Sequence, residues 1–202
     1  MDTLFSFDKT YSEKGFDLIA GIDEAGRGPL AGPVSAAAVI FPKNAFISGL
    51  NDSKKISPKK RAELFIEIKK TALAFSIALI DHETIDKINI LQATFLAMTK
   101  ALKGLKIQPD LCLVDGNHKI PKLEIKQEAI IGGDAKSASI AAASILAKVA
   151  RDEIMVEFSK KFPDYGFEKH KGYGAKQHLE ALKEFGICEI HRKTFAPIKN
   201  ML

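Results

Sequence analysis

Two apolar segments of the chain end on acidic residues. The segment GIDE ends with Asp23 and Glu24, and the segment LVDG places Asp115 after two apolar residues. A carboxylate at the end of a buried strand is costly unless a cation satisfies it, and strand ends form the ligand crevice of α/β sheets. If the two ends are neighbours, these side chains form an oxygen-rich site suited to Mg²⁺ or Mn²⁺.

Each of these acids also has a structural explanation, since it could merely end a strand or begin a turn. Adjacent strand residues face opposite sides, so Glu24 can share a site with Asp23 only if the strand breaks there, and we expect Ala25-Gly26 to provide the break. Asp134 precedes a stretch rich in Ala and Ser. On the residues alone, Asp134 is best explained as the N-cap of a helix, although a capping carboxylate could also bind a metal.

Two glycine-containing segments are candidates for substrate contact. The segment GRGPLAGP (26–33) would let backbone amides approach an anion, but no Gly-Lys-Ser/Thr follows and Pro29 interrupts any dinucleotide pattern. A plain turn explains it equally well. The segment HKGYG (170–174) places Tyr173 between two glycines, where its ring could stack on a sugar or a base or pack on the protein surface.

Basic residues are concentrated near the end of the chain. The 202 residues carry a net charge of +5, and residues 160–202 hold nine Lys or Arg against five Asp or Glu. A basic terminal segment favours an anionic partner such as nucleic acid, although a solvated basic face would look the same. Composition therefore permits a nucleic-acid partner without requiring one.

Other features of the sequence argue against a structural zinc protein, a secreted protein and a membrane protein. Apolar residues make up 46% of the chain, which is enough for a normal core. Cys112 and Cys188 stand alone, without a zinc motif. The amino terminus does not resemble a signal peptide, and no apolar run approaches the ~18 residues of a membrane helix. We therefore expect a cytoplasmic protein with no membrane partner.

Among the elements that would position these residues, two strands come first, and helices and strands alternate after them. We expect strands at 16–24, 34–41, 73–80, 111–116 and 123–131. We expect a helix from Ser57-Pro58, one helix whose buried face carries Ile88, Leu91, Phe95, Met98 and Leu102, a long helix from Asp134, and a last helix over 175–185 ended by Gly186. This order predicts an α/β fold with helices around one mixed sheet. We expect a single domain over 1–202, with a core over about 1–160 and a basic C-terminal helical segment over about 161–202.

Seven segments resemble, in the same order, the conserved blocks of the bacterial ribonuclease HII family. They are GIDEAGRGPLAGPV (21–34), LNDSKKIS (50–57), INILQATFLAM (88–98), LVDG (113–116), GGDAKSASIAAASILAKVARD (132–152), HKGYG (170–174) and HRKTFAPIK (191–199). Together they span almost the whole chain. DEAGRG and HKGYG favour this family over the related type HIII enzymes.

The resemblance implies an RNase H-like fold and a metal-dependent endonuclease. Such an enzyme cuts the RNA strand of RNA–DNA hybrids and nicks duplex DNA on the 5′ side of embedded ribonucleotides. Two Mg²⁺ or Mn²⁺ ions would clamp the scissile phosphate and leave 3′-hydroxyl and 5′-phosphate ends. Carried over position by position, the metal-binding and catalytic carboxylates are Asp23, Glu24, Asp115 and Asp134, which for Asp134 reverses the preference for a plain cap.

The same resemblance assigns substrate contacts. Gly26, Arg27 and Gly28 match a loop that contacts the RNA–DNA junction, and Tyr173 matches an aromatic residue that packs on the adjacent deoxyribose. Because the 2′-hydroxyl alone marks RNA within DNA, these groups would have to read it near the cut.

Basic residues of the last fifth of the chain, Lys171 and Arg192 among them, would hold phosphates without reading sequence. We expect a monomer whose partners are RNA–DNA hybrids and duplex DNA containing ribonucleotides. Two other functions remain open at this point. One is a nucleic-acid-binding module with an inactive carboxylate site, and the other is a small-molecule phosphoesterase that uses the same metal pair.

Overall fold

The computed structural model describes residues 3–53 and 55–202, which form five strands and seven α-helices. In chain order they are α1 (Thr3–Ser12), β1 (Ile19–Ala25), β2 (Val34–Ile40), α2 (Pro58–Thr71), β3 (Ala74–Ile80), α3 (His82–Ile88), α4 (Ile90–Lys103), β4 (Leu111–Asp115), β5 (Lys126–Ile130), α5 (Ala138–Lys161), α6 (Phe167–His170) and α7 (Lys176–Phe185). Short 3₁₀ turns lie at Gly133–Ala135, Pro163–Tyr165 and Ile198–Met201.

The five strands form one mixed sheet in the order β3-β2-β1-β4-β5. The pairs β1–β2 and β2–β3 are antiparallel, whereas β1–β4 and β4–β5 are parallel. This confirms the predicted α/β class with a mixed sheet. Because Ile22 pairs with Val114 across the parallel pair, the carboxyl ends of the inner strands β1 and β4 lie side by side at the same end of the sheet. The acidic residues at those two ends are therefore neighbours.

Helices cover both faces of the sheet. On one face, Ala93 and Ala97 of α4 join the buried cluster that contains Ile22. On the other face, the Ala-rich half of α5 packs closely on β1. A Cβ at Gly21 would stand 2.1 Å from the carbonyl carbon of Ser139, so only glycine fits at this crossing. The small residues of α5 therefore bring its first turns directly onto the central strand.

The apolar repeat from Ile88 to Leu102 is not one helix, so that prediction is wrong. Asn89 separates α3 from α4 with φ 66°, a region that Asn enters more readily than other non-glycine residues. Its side-chain oxygen accepts hydrogen bonds from the backbone amides of Leu91 at 3.0 Å and Gln92 at 3.1 Å. Asn89 therefore caps α4 from within an uninterrupted apolar pattern.

The long helix begins later than predicted. Asp134 lies in the 3₁₀ turn Gly133–Ala135, and α5 begins at Ala138 with Ser137 as its N-cap. The Ser137 hydroxyl accepts from the amide of Ile140 at 3.2 Å. The N-cap interpretation of Asp134 is therefore wrong. By contrast, Ser57 caps α2 and Gly186 follows α7, as predicted.

The C-terminal elements pack on the second half of α5. Phe167, Leu182 and Ile190 form a buried cluster with Met155 of α5 and Leu30, which follows β1. This cluster ties the end of the chain to the loop after the first strand. Within the part of the chain that the structure describes, no helix combines the length and apolar character needed to cross a membrane.

Candidate active site

The acidic pair lies within β1 rather than beyond it. The strand continues through Ala25, and the change of direction comes at Gly26, which has φ 97°. The break therefore comes where it was expected, at Ala25-Gly26, but it follows Glu24 and does not turn that residue, so the two side chains leave opposite faces of the strand. Glu24 faces the cleft beside α4, while a hydrogen bond from Ser144 places Asp23 on the face covered by α5.

Asp23 is the most deeply enclosed of the carboxylates on β1, with 5% of its surface exposed. Its Oδ1 accepts a hydrogen bond from the backbone amide of Glu24 at 2.7 Å. Burial, followed by repulsion from Glu24 and Asp115, raises the pKa of Asp23 well above its usual range, against the lowering effect of Ser144. The fold therefore holds a carboxylate where its negative charge is unfavourable without a cation.

Glu24 is paired with Arg27. Burial raises its pKa, and repulsion from Asp115 acts in the same direction, while Arg27 opposes both. Nη1 of Arg27 donates to Oε1 of Glu24 at 3.2 Å. Arg27 is half exposed, so the pair stands at the mouth of the site, where an incoming ligand can compete with it.

Asp115 connects the end of β4 to the turn that carries Asp134. Its Oδ1 accepts a hydrogen bond from the backbone amide of Gly133 at 2.7 Å. Asp134, the next residue, is 7% exposed. The structure thus brings the four predicted carboxylates to one region, with two of them on β1, one at the end of β4 and one in the adjoining turn.

The donor chemistry of this region fits a hard divalent cation. Within residues 3–53 and 55–202, no three His, Cys, Asp or Glu side chains are arranged as a finished metal site. Asp23, Glu24 and Asp115 instead accept hydrogen bonds from amides or from Arg27. Their oxygens are nevertheless the ligands that Mg²⁺ and Mn²⁺ prefer, and their mutual repulsion is what a bound cation would relieve.

The cleft beside these carboxylates is small. Its lining includes Glu24, Arg27, Asp115 and Phe95 of α4, and its volume is about 80 Å³. Pockets that enclose drug-sized ligands usually measure ~300–1,000 Å³. The cleft can therefore accommodate one phosphate group of a longer ligand, which speaks against a phosphoesterase that encloses its whole substrate.

Arg192 does not face a ligand, so its predicted role as a phosphate contact is wrong. The residue is completely buried. Its guanidinium donates to the carbonyl oxygens of Gly26 at 2.6 Å, Arg27 at 3.0 Å, Gly32 at 3.0 Å and Pro33 at 3.1 Å. Arg192 therefore holds both ends of the loop after β1 in place from the inside.

Tyr173 lies against that loop. Its Cε1 atom is 3.6 Å from the position that a Cβ would take at Gly28, and 44% of the residue is exposed. Nζ of Lys148 and Cζ of Arg151 each lie 5.9 Å from the ring centroid. Sequence reasoning missed these two cations, although their spacing of three residues on α5 is the signal that would place them on one face. The exposed residues Arg27 and Gly28 and the ring of Tyr173 form one continuous surface.

Lys171 lies beside this surface. It adopts φ 53° at the end of α6, and its ammonium donates to the carbonyl oxygen of Glu168. The side chain is partly exposed and lines an open groove with Arg61 and Asp152. A phosphate contact by Lys171 stays a prediction.

The mixed sheet with carboxylates at the adjacent ends of β1 and β4 defines the class: an RNase H-like nuclease fold. The structure resembles the ribonuclease H2 of Pyrococcus horikoshii OT3 with a TM-score of 0.76 and 27% sequence identity, over 91% of this chain and 96% of that one.

Sequence comparison is more specific. The family model of ribonuclease HII matches residues 20–198. The chain is 62% identical over 199 residues to the ribonuclease HII of Endomicrobium trichonymphae, covering 98% of this chain and 95% of that one. It is 56% identical over 201 residues to the ribonuclease HII of Caldicellulosiruptor bescii, covering 100% and 96%. The chain belongs to the ribonuclease HII family, and is thus a metal-dependent endoribonuclease that cleaves RNA in RNA–DNA hybrids.

Proposed function

We propose that this enzyme also nicks duplex DNA on the 5′ side of single embedded ribonucleotides, and that it does so with the carboxylates at the ends of β1 and β4. The observation that carries the proposal is the continuity of the site. Glu24 is followed directly by the loop that packs against Tyr173. A phosphate beside Glu24 would therefore have its neighbouring sugar within reach of the Tyr173 ring.

The proposed metal ligands are Asp23, Glu24, Asp115 and Asp134, and the proposed metal is Mg²⁺ or Mn²⁺, with two ions in the catalytic complex. Bound divalent metal supplies electrostatic stabilisation of the scissile phosphate and an activated water. The protein orients the ligands: the amide of Glu24 holds Asp23, and the amide of Gly133 holds Asp115. Arg27 neutralises Glu24 at the mouth of the site and is placed to exchange that partner for a phosphate.

Recognition is proposed to come from Gly26, Arg27, Gly28 and Tyr173. A ribonucleotide differs from its DNA neighbours by its 2′-hydroxyl, which both donates and accepts hydrogen bonds. Backbone groups of a glycine loop can approach it closely because no side chain intervenes. Arg192 keeps this loop rigid, so the loop is organised before the substrate arrives. Basic residues of 161–202, with Lys171 among them, would hold the flanking phosphates.

The test is product mapping on three labelled duplexes: one with a single ribonucleotide, one RNA–DNA hybrid and one of DNA alone. We expect Mg²⁺-dependent cleavage of the first two, a cut 5′ to the single ribonucleotide, and no cleavage of the third. Asp115→Asn should abolish both activities. Asp110→Asn is the matched control, because Asp110 precedes β4 at the opposite end and binds the amides of Asp17 and Leu18.

Other outcomes would contradict the proposal. Cleavage of the hybrid with no nick at the single ribonucleotide would limit the enzyme to hybrids. Equal loss of activity in Asp110→Asn and Asp115→Asn would indicate that a general fold defect, rather than a lost ligand, explains both variants.

A further inference from the structure

Three histidines pack together at the tyrosine loop, by which we mean residues 170–174 (HKGYG). His178 on α7 and His191 in the C-terminal segment are completely buried, and His170 is partly buried at the end of α6. The Nε2 atoms of His178 and His191 are 3.0 Å apart. The rings of His170 and His178 stack with centroids 4.6 Å apart. Nothing in the proposed chemistry uses these side chains.

The backbone determines which nitrogen of each histidine carries the proton. Nδ1 of His178 lies 2.8 Å from the carbonyl oxygen of Tyr173, which can only accept, so this nitrogen must be protonated. Nε2 of neutral His178 is then an acceptor, and His191 must donate to it through its own Nε2–H. The lone pair left on Nδ1 of His191 matches the backbone amide of Cys188, which donates to it at 2.9 Å. The carbonyl oxygen of Cys188 also lies 3.2 Å from Nδ1 of His191, but it already accepts from the backbone amide of His191 at 3.1 Å. The shorter contact, from the amide of Cys188, therefore favours an unprotonated Nδ1.

The result is a directed relay from the amide of Cys188 through His191 and His178 to the carbonyl oxygen of Tyr173. We propose that His178 and His191 are positioning residues for recognition of the ribonucleotide, an inference that rests on the proposed role of Tyr173. The two histidines fix the backbone of the tyrosine loop and thereby the position of the Tyr173 ring.

A second set of contacts links this relay to the glycine loop. His191 forms a β-bridge with Ala31, and the amide of Leu30 donates to the carbonyl oxygen of Gly172 at 2.8 Å. The next residue along the chain, Arg192, holds Gly26 from inside. His191 and Arg192 therefore hold in place both segments that would contact the junction, the tyrosine loop and the loop after β1.

The protonation states that the relay needs agree with its surroundings. Burial lowers the pKa of His178, and it lowers the pKa of His191 to about 4, with the neighbouring His178 acting in the same direction. Both rings are therefore neutral near neutral pH. A neutral ring can donate with one nitrogen and accept with the other, as the relay demands.

The first experiment reads the tautomers of the wild-type protein by two-bond ¹H–¹⁵N correlation spectra of ¹⁵N-histidine-labelled enzyme. We expect the Nδ1–H tautomer for His178 and the Nε2–H tautomer for His191. Assignment uses loss of the corresponding signal in each variant. An Nε2–H tautomer at His178 would overturn the relay, because that nitrogen would then no longer accept from His191.

The second experiment measures initial rates on the single-ribonucleotide duplex and on the hybrid. His178→Phe keeps the ring and removes the hydrogen bonds, so cleavage at the single ribonucleotide should fall by about tenfold or more, as small displacements at a reacting centre can cost ~100-fold. Cleavage of the hybrid should fall far less. His178→Asn can return a donor to the Tyr173 carbonyl oxygen and should recover part of the lost rate.

Leu182→Ala is the matched control, since Leu182 is a buried residue of the same helix in the same apolar cluster and takes no part in the relay. It should lower stability without changing the ratio of the two rates. If His178→Phe changes that ratio no more than Leu182→Ala does, the positioning role is wrong.

Combining His178→Phe with Tyr173→Ala separates this inference from the proposed function. If His178 acts through Tyr173, the double variant should cleave the single-ribonucleotide duplex no more slowly than Tyr173→Ala alone. Additive losses would overturn the inference. A wild-type enzyme that does not nick the single ribonucleotide would instead contradict the proposed function, while the spectra would still report on the relay.

Discussion

The guanidinium of Arg192 donates to the carbonyl oxygen of Gly26 over 2.6 Å and joins residues that are 166 positions apart in the chain. Gly26 is the first residue after β1, two positions beyond Glu24. The path of the chain leaving the acidic strand is therefore set by a side chain near the C-terminus. Because the acceptors are backbone carbonyls, these hydrogen bonds are made by the Arg192 side chain without any contribution from the side chains of the loop.

We expect Arg192→Met to destabilise the enzyme by about 3–5 kcal/mol, because it leaves several buried carbonyl groups without a donor. Arg192→Lys should be intermediate, since a point charge cannot reproduce the planar fork. Urea denaturation followed by circular dichroism measures both. Lys193→Met, at the exposed neighbouring position, is the control and should change the free energy of unfolding by less than about 0.5 kcal/mol. If Arg192→Met also changed the free energy of unfolding by less than about 0.5 kcal/mol, the loop carbonyl groups would have found other donors.

A different cation is expected to contribute to duplex binding. Lys171→Ala should lower the salt dependence of affinity, measured with Ca²⁺ replacing Mg²⁺ to prevent turnover. Each phosphate contact contributes about −0.9 to the slope of log K against log salt for B-DNA, so the slope should become less steep by about one unit. The position of the cut should not change.

Lys103→Ala is the matched control for Lys171→Ala. Lys103 is the exposed last residue of α4 and follows Met98, the last residue of that helix in the cleft lining, by five positions, or about 8 Å along the helix axis. Equal slopes for the two variants would place the phosphate contacts elsewhere on the basic surface.

The strands and the acidic strand ends could be predicted because their signals are local. Each of the apolar segments around Ile22 and Val114 is short and is followed by a glycine, and parallel pairing then brings Asp23 and Asp115 together. The Ser57 cap and the Gly186 stop are also properties of a few adjacent residues.

The remaining features could not be predicted because their partners are distant or masked by a stronger pattern. Arg192 reads as one more surface cation, since its acceptors lie about 160 positions earlier in the chain. Asn89 interrupts a helix without interrupting the apolar repeat. Asp134 reads as a cap because the 3₁₀ turn before α5 leaves no trace in the sequence, and Ser137, three residues later, is an equally good cap.

Asp23→Asn should separate catalysis from folding. In the folded chain the pKa of Asp23 lies well above its ordinary value of 3.8, so the charged form is unfavourable there. As pH rises above 3.8, the unfolded chain releases this proton first, and the free energy of unfolding of metal-free enzyme falls until the folded carboxyl group also ionises. Asn carries no charge, so at about pH 7 the metal-free variant should be at least as stable as the wild type.

The same substitution should reduce cleavage by more than about a hundredfold, since even outer partners of metal ligands cost ~10–100-fold. Added Mg²⁺ should raise the melting temperature of the wild type and have little effect on the variant. Asp17→Asn, at the exposed opposite end of β1, is the control. Cleavage by Asp23→Asn within tenfold of the wild-type rate would remove Asp23 from the metal ligands.

Tyr173 gives the sharpest separation of recognition from chemistry. The ring lies beside Gly28 and two cations of α5, and no metal-binding role is proposed for it. Tyr173→Ala should therefore keep folding and metal binding, and lose a stacking contact of the kind worth ~1–3 kcal/mol. Cleavage at a single embedded ribonucleotide should collapse, whereas a long hybrid, which has no deoxyribose at that step, should lose less.

Tyr173→Phe distinguishes the ring from its hydroxyl. Because the variant keeps the stacking surface beside Gly28, its rate on the single-ribonucleotide duplex should fall between those of the wild type and Tyr173→Ala. Initial rates of the three proteins on both substrates, at equal Mg²⁺, test this directly. If Tyr173→Ala slows both substrates equally, the residue contributes general duplex binding and the junction must be read by the Gly26–Gly28 loop alone. If Tyr173→Phe keeps the wild-type ratio of the rates on the single-ribonucleotide duplex and the hybrid, and Tyr173→Ala does not, recognition depends on the face of the ring.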